Sequence, residues 1–236
     1  MSDAAVNDMS MINADSTGVL GALKVLSGKI EEIKRPSGQD RKSPARTCLD
    51  LFLAAQENGE TLDNGHYWVD PNQGCEADAI EVYCKFDSFA DRVETCVHAT
   101  ESKIAKKSHQ SGWWSETNGM PFAYDPAKDA RVPRADYASQ ITFLRLLASQ
   151  ASQTVKLHCN GGTTEGLKIR GTGTSEFDVN HKDFKITRDG CSGRSGWNHA
   201  TVEVVTKATA RMPIRDLHVA DNGDAFGFDV GPICFS

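Results

Sequence analysis

Residues 70–78 hold the side chains with the clearest chemical potential in this chain of 236 residues. Ca²⁺ takes roughly six to eight oxygen ligands and accepts carboxylates, amides and main-chain carbonyls alike. Gly74 gives the backbone freedom to turn, so that a nearby carbonyl, such as that of Cys75, can join the ligands. The segment therefore predicts a calcium-binding loop, whose side-chain donors are Asp70, Asn72, Gln73 and Asp78.

The same residue types also form a simpler structure, a surface turn that binds no metal. Asp and Asn side chains also form Asx-type turns at the protein surface, where their carboxylates need no metal. The segment is not an EF-hand, because the alternating Asp/Asn pattern and the final Glu are missing. On composition alone the surface turn is the better interpretation, and both stay open at this point.

No set of residues in the sequence predicts catalysis. The chain has no Gly-x-Ser-x-Gly, no His-Glu-x-x-His and no phosphate-binding loop. Its net charge of −6 argues against a nucleic-acid partner. No apolar run approaches the roughly 18 residues that a membrane span needs. We therefore expect neither an enzyme nor a protein that binds nucleic acid or membranes.

The seven cysteines indicate an oxidising compartment. Their spacing fits no zinc site, and a cytosolic protein with scattered buried thiols is the alternative. An odd number leaves at least one thiol free or paired with another chain, and spacing alone does not give the connectivity. Residues 1–16 lack the apolar stretch of a signal peptide, so a secreted protein of this sequence is expected to be part of a longer precursor.

An amphipathic helix is predicted near the start of the chain. Five apolar residues recur at spacings of 4, 3, 4 and 3, which is the a/d pattern of a coiled coil; they are Val19, Leu23, Leu26, Ile30 and Ile33. Pro36 ends the pattern. A helix packed on its own domain is the alternative, but we favour a short coiled coil. The predicted organisation is a flexible segment over 1–15, a stalk over 16–36, a linker over 37–47 and a globular domain over 48–236.

The globular part has the patterns of an α+β fold. A helix is predicted over 48–56, capped by Thr47, and an alternating strand over 79–86. A second helix is predicted over 139–151, with a buried face made of Ile141, Phe143, Leu144, Leu147 and Ala148. Short β-type runs separated by glycine and polar turns follow it, which predicts an antiparallel sheet.

Several segments, in the same order along the chain, are similar to one known family. They include Pro-Ala-Arg-Thr-Cys at 44–48, His-Tyr-Trp-Val-Asp-Pro-Asn-Gln-Gly-Cys at 66–75, and Phe-Asp-Val-Gly-Pro-Ile-Cys-Phe at 228–235; shorter matches lie at 78–80, 94–96, 142–147 and 189–191. On these segments the chain resembles the C-terminal propeptide of fibrillar procollagens. The chain lacks the family's usual glycosylation sequon, which favours an invertebrate collagen.

The resemblance implies a secreted trimer with a coiled-coil stalk, a disulfide-bonded base and fibrinogen-like petals. Its function would be trimerisation and chain selection, with two further procollagen chains as partners. The domain would assemble in the endoplasmic reticulum, and a processing proteinase would release it in the extracellular matrix; residues 14–15 are the candidate cleavage site. Calcium would lie in the base, bound by the side chains of Asp70, Asn72, Gln73 and Asp78 and the carbonyl of Cys75. A fibrinogen-like, lectin-type calcium-dependent recognition module is the alternative.

The family's intrachain disulfides carry over as Cys48–Cys84, Cys96–Cys234 and Cys159–Cys191. Cys75 is then unpaired. In typical members this cysteine pairs across chains with one six positions after the first cysteine, and that position is Ala54 here. The resemblance therefore implies a homotrimer without covalent links between chains, unless a different chain supplies the missing thiol.

Chain selection in the family depends on the regions that here span 124–139 and 148–152. Six charged residues in the first region are candidates for ion pairs between subunits: Asp125, Lys128, Asp129, Arg131, Arg134 and Asp136. Such pairs favour register and partner choice more than affinity.

Overall fold

The structure of the chain is a computed structural model, and it describes residues 16–87, 92–107, 111–119, 122, 124, 134–220 and 225–236. The α-helices in these ranges are α1 (Ser16–Lys34), α2 (Cys48–Glu57), α3 (Trp114–Asn118) and α4 (Arg134–Leu147), and short 3-10 helices span Glu76–Asp78 and Thr209–Arg211. The strands are β1 (Gly65–Val69), β2 (Ile80–Asp87), β3 (Arg92–Val97), β4 (Lys103–Lys107), β5 (Gly112–Trp113), β6 (Ala151–Asn160), β7 (Lys168–Arg170), β8 (Glu176–Asp178), β9 (Phe184–Asp189), β10 (Trp197–Thr206), β11 (Asp216–Val219), β12 (Ala225–Val230) and β13 (Ile233–Phe235). The predicted flexible segment 1–15 lies outside the described residues.

Helix α1 forms where the heptad pattern predicts it, and its apolar stripe is uncovered. The exposed fractions are 48% for Val19, 55% for Leu23, 56% for Leu26 and 43% for Ile30. Ile33 lies in the same helix, without a described side chain. In the described part of the chain nothing covers this stripe. Among the described helices, none has the length and apolarity that a membrane crossing requires.

Helix α2 begins at the predicted cap. The hydroxyl of Thr47 accepts a hydrogen bond from the amide of Asp50, which satisfies one of the donors left free at a helix start. Cys48, Leu51 and Ala55 share the buried face, since their positions follow the 3.6-residue period. The Cys48–Cys84 disulfide joins this helix to β2.

The larger of two antiparallel sheets contains nine of the described strands, with β6 at its centre. Strand β6 pairs with β10 along one edge, and its other edge is shared by β13 and β12. Every second residue of β6 is buried, so one face packs into the core and the other is partly exposed. The second sheet has the order β5-β11-β7-β8. The predicted α+β class with antiparallel sheet is confirmed.

Helix α4 is shifted from its prediction. It spans Arg134–Leu147, whereas the predicted range of 139–151 runs into β6. Its buried side chains are Tyr137, Gln140, Ile141 and Leu144. This i, i+3, i+4, i+7 set turns Phe143 away from the core, and Phe143 is 39% exposed, so its predicted burial is wrong.

Three disulfides hold the described fold together, and they are the pairs that the resemblance implies. Cys96–Cys234 joins residues 138 positions apart, which face each other across β3 and β13. Cys48–Cys84 and Cys159–Cys191 close shorter segments, with separations of 36 and 32 residues. Cys75 is free and exposed.

Candidate metal centre

The predicted calcium loop is the connection between β1 and β2. The two strands pair in antiparallel register up to Val69 and Ile80, so residues 70–79 form a long hairpin loop. Its start is fixed by the amide of Asp70, which donates to the carbonyl of Ala45 at 2.7 Å. Its end is held by Arg41, whose guanidinium donates to the carbonyl of Ala79 at 3.3 Å. The loop is therefore anchored on both sides.

Asn72 connects the two arms of the loop. Its amide nitrogen Nδ2 donates to Oδ2 of Asp78 at 2.9 Å, and its Oδ1 accepts from the amide of Gly74 at 3.3 Å. Gln73 has a φ of +54°, a left-handed conformation that costs a residue with a side chain roughly 1–2 kcal/mol. The loop keeps this strained geometry, which turns the backbone sharply between Asp70 and Asp78.

Helix α4 contributes a residue that the sequence analysis missed. The side chain of Gln140 is fully buried, and its Nε2 lies 3.0 Å from Oδ1 of Asp70 and 3.2 Å from Oδ1 of Asn72. The same nitrogen lies 3.2 Å from the carbonyl oxygen of Asp78. Three loop oxygens thus converge on one point. A glutamine on the buried stripe of a helix is the sequence signal that indicates such a contact, because buried polar groups need partners.

The electrostatics of the loop favour a cation. Burial raises the pKa of Asp70 above its usual value; the hydrogen bond from Gln140 opposes this rise, and the negative charge of Asp78 adds to it. Oδ1 of Asp78 is buried without a hydrogen-bond partner among the described residues. An orphaned carboxylate oxygen beside a second buried carboxylate is costly in a protein, unless a cation or a donor satisfies it. The residues present therefore fit Ca²⁺, whose ligands are oxygens of these types.

The five predicted ligands do not all lie in the same environment. Hydrogen bonds bring together Asp70, which is buried, and Asn72 and Asp78, which are half-buried. Gln73 and Cys75 are exposed at its outer edge. The carbonyl of Cys75 accepts a hydrogen bond from the amide of Asp78 at 3.1 Å, and a second lone pair remains on that oxygen.

The other candidate sites offer weaker evidence for a functional role. Within the described residues one compact group of potential metal ligands occurs, namely Glu94, Cys96 and Cys234. Its two sulfurs are joined in a disulfide, so they cannot act as thiolate ligands.

Of the predicted chain-selection charges, those in 125–133 lie outside the described residues. Arg134 and Asp136 lie in α4 without described side chains.

Comparison with known proteins identifies the family. The chain matches the fibrillar collagen C-terminal domain over residues 15–235. It is 38% identical to the collagen alpha-1(I) chain of Gallus gallus over 90% of this chain, and 34% identical to the collagen alpha-2(I) chain of Oncorhynchus mykiss over 97% of it. It is 36% identical to the collagen alpha-1(II) chain of Xenopus tropicalis over 92% of it.

The matched residues include α1, the loop at 70–79 and both sheets. The chain spans only 16% of the length of the first and third relatives and 18% of the second. The family is one of structural collagens. The resemblance seen in the sequence is thus confirmed, and the chain belongs to the fibrillar collagen C-terminal domain family.

Proposed function

We propose that this domain assembles three chains of a fibrillar procollagen, so that their collagen segments start in register. The observation that carries the proposal is the apolar a/d stripe of α1, which the described part of its own chain leaves exposed. Such a stripe is stable in water when partner helices cover it. Assembly at one end holds three chains at a high effective concentration, which reduces the entropic cost of starting a triple helix.

Calcium supports the assembly in this proposal. Asp70, Asn72, Gln73 and Asp78 bind the ion through side-chain oxygens, and Cys75 binds it through its carbonyl. Bound Ca²⁺ supplies positive charge that neutralises the two carboxylates and fixes the hairpin loop. The convergence of three oxygens on Gln140 and the orphaned Oδ1 of Asp78 support the part of this ligand set formed by Asp70, Asn72 and Asp78.

Partners and location follow from the same proposal. Two further procollagen chains, identical or different, complete the trimer in the endoplasmic reticulum, and a processing proteinase releases it outside the cell. The free thiol of Cys75 and the presence of Ala54 support a homotrimer without disulfides between chains. The lectin-type alternative is not favoured, because the match to the collagen domain extends over residues 15–235. The domain acts as a structural protein and not as an enzyme.

Replacing Asp78 with Asn tests the calcium site. Asp78→Asn keeps an acceptor for the Nδ2 group of Asn72 but removes one of the two carboxylates in the proposed ligand set. Calcium affinity in such sites depends on the number of charged ligands, so we expect a loss of at least about tenfold in a calorimetric titration.

Asp63→Asn is the matched control, since it removes the same charge from an exposed aspartate outside the loop. Its calcium affinity should equal that of the unmodified chain. Equal affinities for all three proteins would contradict the proposed ligand set.

A further inference from the structure

Gln140 makes more contacts with the loop than a space-filling core residue needs. Its Nε2 carries two protons and faces three acceptors, the Oδ1 atoms of Asp70 and Asn72 and the carbonyl of Asp78. Its Oε1 accepts from the amide of Asn72 at 3.2 Å. One side chain of α4 thus bonds to both arms of the hairpin loop. Removing such a buried group leaves several polar atoms without partners, which costs free energy at each of them.

The orientation of this amide is fixed by its surroundings. If the amide were turned over, Nε2 would face the amide proton of Asn72, donor against donor. Oε1 would then face three oxygen atoms, acceptor against acceptors. Both arrangements are unfavourable, because each buried group loses its partner. Gln140 therefore stays a donor towards the loop.

We propose that Gln140 is a positioning residue that holds the oxygens of the calcium loop from the side of helix α4. Its hydrogen bonds take up one oxygen of Asp70 and orient Asn72, which leaves the second oxygen of Asp70 and the orphaned Oδ1 of Asp78 for the cation. The inference rests on the proposed calcium site and adds a coupling to it. Calcium bound in the loop stabilises α4, and a stable α4 strengthens calcium binding, because linkage is reciprocal.

Residues that orient the ligands of a metal ion, without binding the ion themselves, have a measurable effect on metal affinity. Their replacement typically weakens metal binding by about 10–100-fold. We expect a loss of this size for Gln140→Leu in a calorimetric calcium titration of the full chain. Hydrogen exchange should show the coupling directly, since added calcium should slow exchange of the α4 amides around residue 140 in the unmodified chain and not in Gln140→Leu.

Gln153→Leu is the matched control. Gln153 is a second buried glutamine, whose amide bonds to the carbonyl of Gly231 at 2.9 Å and to the backbone of Ile214 at 2.9 Å, away from the loop. Both leucine variants should lower the melting temperature in chelator, because both lose buried hydrogen bonds. Only Gln140→Leu should weaken calcium binding, and equal calcium affinities for the two variants would overturn the proposal.

Gln140→Glu gives an independent test that does not depend on a loss of function. A carboxylate at this place repels Asp70 in the absence of a cation, and calcium relieves the repulsion. The rise in melting temperature on adding calcium should therefore be larger for Gln140→Glu than for Gln140→Leu, which loses the same donors, and an equal or smaller rise would contradict the role of Gln140. An unmodified chain that binds no calcium would instead contradict the calcium site itself.

Discussion

A chain with the two substitutions Leu23→Asp and Leu26→Asp is expected to have the solution mass of one chain, 25.7 kDa, under conditions where the unmodified chain has three times that mass. The two leucines are neighbouring members of the exposed stripe of α1. In a trimer, the substitutions would bring six carboxylates together along the helix seam. Burying unpaired charges costs several kcal/mol each, and the two leucines no longer contribute their apolar burial. Light scattering measures the mass directly.

Val25→Asp is the control for this experiment. Val25 is apolar and 59% exposed on the same helix, but it lies off the a/d stripe. A charge at this position should leave the trimer intact, because it points away from the seam. Retention of the trimer in the Leu23→Asp, Leu26→Asp variant would show that association does not depend on the stripe.

One of the three disulfides joins residues much farther apart in the sequence than the other two do. Replacement of both its cysteines should have the largest effect on the stability of the globular part. Cys96 and Cys234 are 138 positions apart, and the chain-entropy relation gives about 5 kcal/mol for a loop of that length. The bond also fixes β13 beside β3 at the edge of β6. We expect Cys96→Ala with Cys234→Ala to lower the free energy of unfolding by roughly 3–5 kcal/mol in a urea titration at fixed protein concentration.

The Cys159→Ala, Cys191→Ala pair is the matched comparison. All four cysteines are buried, so the loss of side-chain packing is similar in the two variants. The separation of 32 residues gives about 3.7 kcal/mol by the same relation, and the loss of stability should be smaller by about 1 kcal/mol. A larger loss for this pair than for Cys96 and Cys234 would contradict the ranking by loop length.

Local signals predicted several elements well. The Thr47 cap gave the start of α2, because capping depends on residues within one helical turn. The alternation of Ile80, Val82 and Cys84 gave the buried face of β2, since the period of a strand is two. The heptad spacing predicted α1 within two residues of its observed end at Lys34.

Nonlocal contacts were harder to predict. Apolar periodicity placed Phe143 inside, but Gln140 occupies the core side of α4, because its hydrogen bonds to the loop compensate for burying an amide. The loop residues Asp70, Asn72 and Asp78 could be read from composition, whereas their partner lies 62 to 70 positions later in the chain. No sequence pattern within the loop indicates that partner.

The most direct test of the account is the solution mass of the unmodified chain, measured by light scattering first with calcium and then with a chelator. We predict about three times 25.7 kDa with calcium, and a fall towards the mass of one chain after chelation at the same protein concentration. The reason is that the calcium loop loses its fixed geometry when its carboxylates are no longer neutralised. A mass of one chain in both conditions would contradict self-assembly through α1, and a trimer unchanged by the chelator would contradict the role of calcium in it.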